Sequence, residues 1–221
     1  MKKAVVVGGS NGIGLSIVKE LAQSGYFVYV LDLVKPNLKD FCKKENTEYI
    51  YTDLTNINPS TFLKLSEDNE INFLMITAGF GRVAPFSSVS VQEIRDIFQV
   101  NTVAGLEIIR YFYNRIQSNS SFYTGMMVSI AGMISSPLFA TYAASKSALN
   151  RFIESINIEL ESEGYANRIL NVSPGSIKGT KFNGGENDYS LTSELAGEIV
   201  SQILSQNEIF IPEYDATTVM F

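Results

Sequence analysis

The chain has 221 residues, 45% of them hydrophobic and 18% charged, a balance that supplies apolar side chains for a sizeable core. Its net charge of −6 argues against a phosphate-backbone binder, which needs clustered Lys and Arg, so nucleic acid is not an expected partner. There is no histidine, and Cys42 is the single cysteine, so an internal disulfide is excluded and the usual zinc and haem ligands are missing; no metal site is expected.

Met1-Lys2-Lys3 passes at once into Ala4–Val7, too short an apolar run for a signal peptide or a membrane span. The default expectations are therefore a cytoplasmic location and no membrane partner. Ala4–Val7 itself is β-branched and apolar throughout, the pattern of a central parallel strand buried on both faces. Gly8-Gly9-Ser10-Asn11-Gly12-Ile13-Gly14 follows, and then Ile17, Val18 and Leu21 recur at helical spacing until Ser24-Gly25. This strand, glycine turn and helix form the context in which a pyrophosphate is held: Gly8 for the tight turn, Gly12 for close backbone approach, Gly14 for helix–sheet packing. The next strand, Phe27–Leu31, ends at Asp32, where a dinucleotide-binding unit places an acid on the adenosine ribose. Asp32 would repel a 2′-phosphate, the glycine loop holds no Arg or Lys, and the nearest base is Lys35. NAD is accordingly favoured over NADP.

Glu48–Tyr51 reads as a third strand running to Asp53-Leu54-Thr55, with a short helix over Pro59–Ser66. A fourth strand, Phe73–Ile76, meets Thr77-Ala78-Gly79, small residues that leave room for a flat ligand. From Ser90 one long helix is predicted through Ile94, Ile97, Phe98, Ala104, Ile108 and Phe112, with Asn101 inside its apolar stripe. Such a buried amide must find partners, from nearby backbone or from a functional role. A fifth strand ends over Met126–Ser129, and the loop after Ala131-Gly132 carries Met133, Ile134, Leu138 and Phe139. Next comes the helix of Tyr142 and Lys146. A sixth strand, Arg168–Val172, leads to Pro174-Gly175-Ser176-Ile177-Lys178-Gly179-Thr180, then a polar stretch, a helix over Leu191–Gln206 and a last strand over Glu208–Ile211. No interdomain linker or repeat interrupts this alternation, which describes a single α/β domain over 1–221: a doubly wound, Rossmann-type parallel sheet of about seven strands with helices on both faces.

Tyr142 and Lys146 stand four apart on a helix, so phenol and ammonium share a face. A cation held there favours the phenolate and brings proton exchange below the usual tyrosine pKa. Taken alone, the spacing more often describes an ordinary surface pair.

With the other motifs in order, the chain resembles the short-chain dehydrogenase/reductase family along nearly its whole length. The family's Thr-Gly-x-x-x-Gly-x-Gly stands as Val7–Gly14, its Asn-Ala-Gly as Thr77-Ala78-Gly79, its helix Asn as Asn101, its Ser as Ser129, its Tyr-x-x-x-Lys as Tyr142–Lys146, and its Pro-Gly turn as Pro174-Gly175. There are three departures. Val7 replaces the Thr and Thr77 the Asn, positions that brace the sheet, so the cost falls on fold stability rather than chemistry. The Thr after Pro-Gly is displaced one place to Thr180.

The resemblance implies hydride transfer between a nicotinamide and a carbonyl or alcohol, with Tyr142 as general acid/base and Ser129 on the substrate oxygen. Lys146 would lower the phenol's pKa and bind the nicotinamide ribose, and Asn101 would hold a water leading to solvent. The implied cofactor residues are Gly8, Ser10, Asn11, Gly12, Ile13, Gly14, Asp32, Asp53, Leu54, Ala78, Gly79, Tyr142, Lys146, Pro174, Gly175, Ile177 and Thr180. Residues 180–190 would form a short substrate lid, and the family implies a homodimer or homotetramer. Met133, Ile134, Leu138 and Phe139 suggest a partly apolar small-molecule substrate, with Arg82 or Lys181 as candidates for an anionic group. Two other readings stay open: a catalytically silent NAD(P)-binding regulator of the same fold, and a sugar-nucleotide epimerase or dehydratase, for which 221 residues leave little room.

Overall fold

A computed structural model describes residues 2–37, 46–180, 182, 186 and 188–212. Cys42, Lys181 and part of the expected lid lie outside the described residues.

Seven strands form one all-parallel sheet: β1 (Lys3–Val7), β2 (Phe27–Asp32), β3 (Thr47–Tyr51), β4 (Ile71–Ile76), β5 (Tyr123–Met127), β6 (Ile169–Val172) and β7 (Ile209–Phe210), in the order β3-β2-β1-β4-β5-β6-β7. Among the described residues six α-helices connect them: α1 (Gly12–Gln23), α2 (Pro59–Glu67), α3 (Val91–Phe98), α4 (Ala104–Ile116), α5 (Ala140–Ser162) and α6 (Ser193–Leu204). Alternation along β1 divides its side chains between two cores. Val5 and Val7 pack with residues of α2, α4 and α5, whereas Ala4 and Val6 pack with α1 and α6. That is why the central strands read as unbroken apolar runs. The strand order reverses between β1 and β4, and the crevice beyond the carboxyl ends of these strands is where an open α/β sheet takes a ligand. Among the described residues no helix is long and apolar enough to cross a membrane.

Three element boundaries differ from expectation in ways that matter for the site. The predicted helix from Ser90 is three pieces: α3, a π-helical turn over Gln99–Val103, and α4. Its start is as predicted, with a reciprocal capping box between Ser90 and Glu93. Strand β5 ends at Met127, two residues before Ser129, which instead opens a 3₁₀ turn over Ile130–Gly132 and accepts the Ala131 N–H at 3.1 Å. The final strand shrinks to the two residues of β7.

Candidate active site

The glycine turn joins β1 to α1. Gly8 and Gly12 adopt φ of +82° and +51°, the left-handed region that favours glycine. At Gly14 the constraint is space, since a Cβ there would lie 2.2 Å from the Gly8 carbonyl oxygen. Thr77, at the end of β4, donates its hydroxyl to the carbonyls of Val7 (2.9 Å) and Gly8 (3.0 Å). The threonine thus keeps a brace on the turn. Asn11 precedes α1 without capping it through its side chain, and the first turn of α1 holds no acidic residue. This helix end is polarised to accept a pyrophosphate.

Asp32 closes β2. Its carboxylate accepts the backbone N–H of Ser10 at 3.0 Å and is approached by that of Val34 at 3.4 Å. Asp53 accepts both the N–H (2.8 Å) and the hydroxyl (2.7 Å) of Thr55, and these bonds hold its carboxyl below the usual range. Past β6, Gly179 takes φ +74° and thereby accommodates the one-residue displacement of Thr180. A Cβ at Gly12 would touch the Thr180 side chain at 3.4 Å, so Thr180 stands directly against the turn.

One cavity of about 970 Å³ joins these parts to the Tyr142 helix. Gly8, Asn11, Gly12, Ile13, Gly14, Asp32, Asp53, Leu54, Ala78, Gly79, Ser129, Tyr142, Lys146, Pro174, Gly175, Ile177 and Thr180 all line it. Ser10 and Asn101 do not. Ser10 lines a smaller neighbouring cavity with Lys19 and Lys35, and its buried hydroxyl has no hydrogen-bond partner among the described residues. Phe80, Gly81, Ile130 and Phe182 also line the large cavity and were not anticipated. Gly81 carried a usable signal, following Gly79 so closely in a loop after a strand. Phe182 carried none, since isolated aromatics in polar stretches have many uses.

Tyr142 is buried, its ring enclosed by Phe139 (centroids 6.2 Å apart), Phe182 (5.3 Å) and the Gly81 backbone, where a Cβ would lie 2.7 Å from the ring. Burial pushes the phenol's pKa up, and a side-chain hydrogen bond with Ser129 acts in the opposite direction. Lys146 is fully enclosed, and burial lowers its amine to about 8. Its Nζ donates to the Met127 carbonyl at 2.9 Å and lies 5.8 Å from the centre of the Tyr142 ring. The phenol's shift is therefore upward, rather than the lowering expected from the ammonium. The amine is itself desolvated, and it is directed to a backbone carbonyl.

Asn101 finds its partners within the protein. Its amide Nδ2 donates to the Phe80 carbonyl (2.8 Å) and approaches Ser145 Oγ (3.1 Å), while Oδ1 accepts the Phe80 N–H (2.9 Å). Ser145 in turn donates to the Tyr142 carbonyl at 2.7 Å. The side chain is thus committed to protein partners, and it ties the loop after β4 to the turn of α5 that carries Tyr142.

The residues fit a dinucleotide. A Cβ on Gly79 would lie 3.1 Å from Lys146 Nζ and 3.2 Å from Asn101 Oδ1, so a glycine-shaped space is kept beside the amine. The cavity runs from there to the glycine turn and Asp32.

Comparison with known proteins bears on the family and the fold. The family described as short chain dehydrogenase matches residues 2–190. An uncharacterized oxidoreductase of Saccharomyces cerevisiae is 30% identical over 184 residues, which is 81% of this chain and 56% of the yeast protein, so the chain spans about half the length of that relative. An alcohol dehydrogenase from the archaeon Thermococcus sibiricus, solved with 5-hydroxy-NADP, superposes with a TM-score of 0.80 at 21% identity, over 97% of this chain and all of the other. A 4-hydroxyisoleucine dehydrogenase solved with NADH and succinate gives 0.72 at 20% identity, over 96% of this chain and 99% of the other. The two solved structures speak to the fold alone, while the match over residues 2–190 decides kinship: the chain belongs to the short-chain dehydrogenase family.

Proposed function

We propose that the protein is an NAD(P)-dependent oxidoreductase that moves a hydride between the nicotinamide and the carbon of a carbonyl or alcohol. The observation that carries this reading is one continuous cavity with the glycine turn and Asp32 at one end and Ser129, Tyr142 and Lys146 at the other. The cofactor supplies the hydride when bound. The protein's part is to position and to manage a proton. Tyr142, its pKa raised by burial, keeps its phenolic proton at neutral pH, the state required of a proton donor to a carbonyl oxygen. Ser129, hydrogen-bonded to Tyr142, is placed to donate to that same oxygen and to stabilise charge developing on it. Lys146, with several donors and one already on Met127, has others for ribose hydroxyls.

Asp32 supports a preference for NAD, because a carboxylate at the end of β2 repels a 2′-phosphate. The seven-stranded sheet and its two flanking cores support reading residues 1–221 as one dinucleotide-binding domain. Mixing the protein with NADH or NADPH and a panel of ketones, aldehydes and sugars, while following absorbance of the reduced nicotinamide, tests the activity. Turnover with NADH is expected. Cofactor binding with silence across a broad panel would contradict it.

A further inference from the structure

The part of the cavity around Tyr142 identifies the chemistry of the substrate, an inference that rests on the oxidoreductase reading above. Charged side chains lining the whole cavity are Asp32, Asp53 and Lys146, among the described residues. Asp32 ends β2, three strands across the sheet from β5 and Ser129, which at normal strand spacing is roughly 14 Å. Asp53 follows β3, one strand further out, and is held by Thr55. Among the described residues the substrate end therefore contains one ionisable amine, Lys146, and that amine is buried and bonded to Met127. Of the two candidates for an anionic group, Lys181 lies outside the described residues and Arg82 is drawn away: its guanidinium donates to Glu93 at 2.6 Å and to the Ser88 carbonyl at 3.2 Å.

Beyond Ser129 and Lys146, most of what surrounds Tyr142 is apolar. Phe80, Ile134, Phe139 and Phe182 line this end of the cavity with Ser136, and Val83 and Leu138, which do not line it, are exposed on the same two loops. Leu138 is exposed although its backbone is in the left-handed region at φ +68°, and its carbonyl accepts the Ala84 N–H at 3.0 Å, which joins the two loops.

We infer that the substrate is an uncharged ketone or aldehyde, or the matching alcohol, carrying an apolar body that lies against Phe182, and that Phe182 sets this preference. Burying a carboxylate there with no partner is costly, whereas each methylene brought out of water favours binding.

The test is binding to the full chain, with and without NADH, by ligand-observed NMR. Octan-2-one, its carboxylate-ended counterpart 7-oxooctanoate and the shorter butan-2-one are the probes. Octan-2-one is expected to bind about tenfold or more tighter than 7-oxooctanoate, and tighter than butan-2-one. Phe182→Ser should weaken octan-2-one several-fold while NADH affinity holds. Equal or tighter binding of the carboxylate, no gain from chain length, or no binding of octan-2-one overturns the inference. Absorbance assays on the same samples separate it from the reading beneath. Octan-2-one bound without turnover under either reduced cofactor counts against the oxidoreductase and leaves the binding preference standing; turnover of 7-oxooctanoate in preference to octan-2-one does the reverse.

Discussion

Lys146 and Tyr142 are buried side by side with pKa values moved in opposite directions, which has a consequence for the pH dependence of stability. The amine's folded pKa of about 8 lies below its unfolded value of 10.5, so between those two pH values the unfolded chain binds the additional proton. Stability contributed by this group is therefore absent below pH 8, grows as pH rises through that window, and reaches ~3 kcal/mol at most. Lys146→Met should remove this rise. Urea midpoints of both proteins measured at pH 7, 8, 9 and 10 check it, and parallel slopes would show that burial of the amine is not the cause. Asn101 was visible in the sequence as a polar residue in an apolar stripe, yet its partner was not, because Phe80 is 21 residues away and the bond is to backbone. Asn101→Ala leaves the Phe80 amide and carbonyl without these bonds and is expected to cost ~2 kcal/mol in denaturant unfolding.

Among the elements, the glycine turn and the Tyr142 helix were legible because their residue types are dictated by local geometry. The π-helical turn at Gln99–Val103 was not: it is a single turn between two α-helical segments with no residue type that marks it, so the periodicity reads as one helix. Strand β5 was read too late because Thr124-Gly125 interrupts its apolar run. Gly125 stands there because of a neighbour from far along the chain, since a Cβ would lie 2.6 Å from Ile203 of α6. Such a reason is tertiary and cannot be read locally. The same reasoning separates two alanine substitutions. Gly14→Ala would press a methyl onto the Gly8 carbonyl and is expected to cost ~2 kcal/mol or more of stability and to abolish NADH binding. Gly197→Ala, inside α6 with nothing within 4 Å of its Cβ, is expected to raise stability by ~0.5–1 kcal/mol. Thermal melts and NADH titrations of the two variants check both, and a stable, binding-competent Gly14→Ala would contradict the turn's role.

For the whole molecule, seven parallel strands in a doubly wound order were recoverable from alternating apolar runs and helical spacing, because a sheet covered on both faces permits little else. That order brings Gly8, Asp32, Ser129 and Pro174 from strand ends far apart in the chain to one crevice. The substrate wall was only half legible. Ile134 and Phe139 could be placed near the site from the motif order, but Phe182 and the withdrawal of Arg82 to Glu93 depend on loop packing. The central claim is that Tyr142 delivers the proton that accompanies hydride transfer. Turnover by Tyr142→Phe tests it most directly, measured beside an NADH titration of the same variant, since the phenyl ring keeps the packing against Phe139 and Phe182. The account predicts NADH affinity near that of the unsubstituted protein with turnover reduced by at least about 10²-fold. Near-normal turnover in Tyr142→Phe would contradict it.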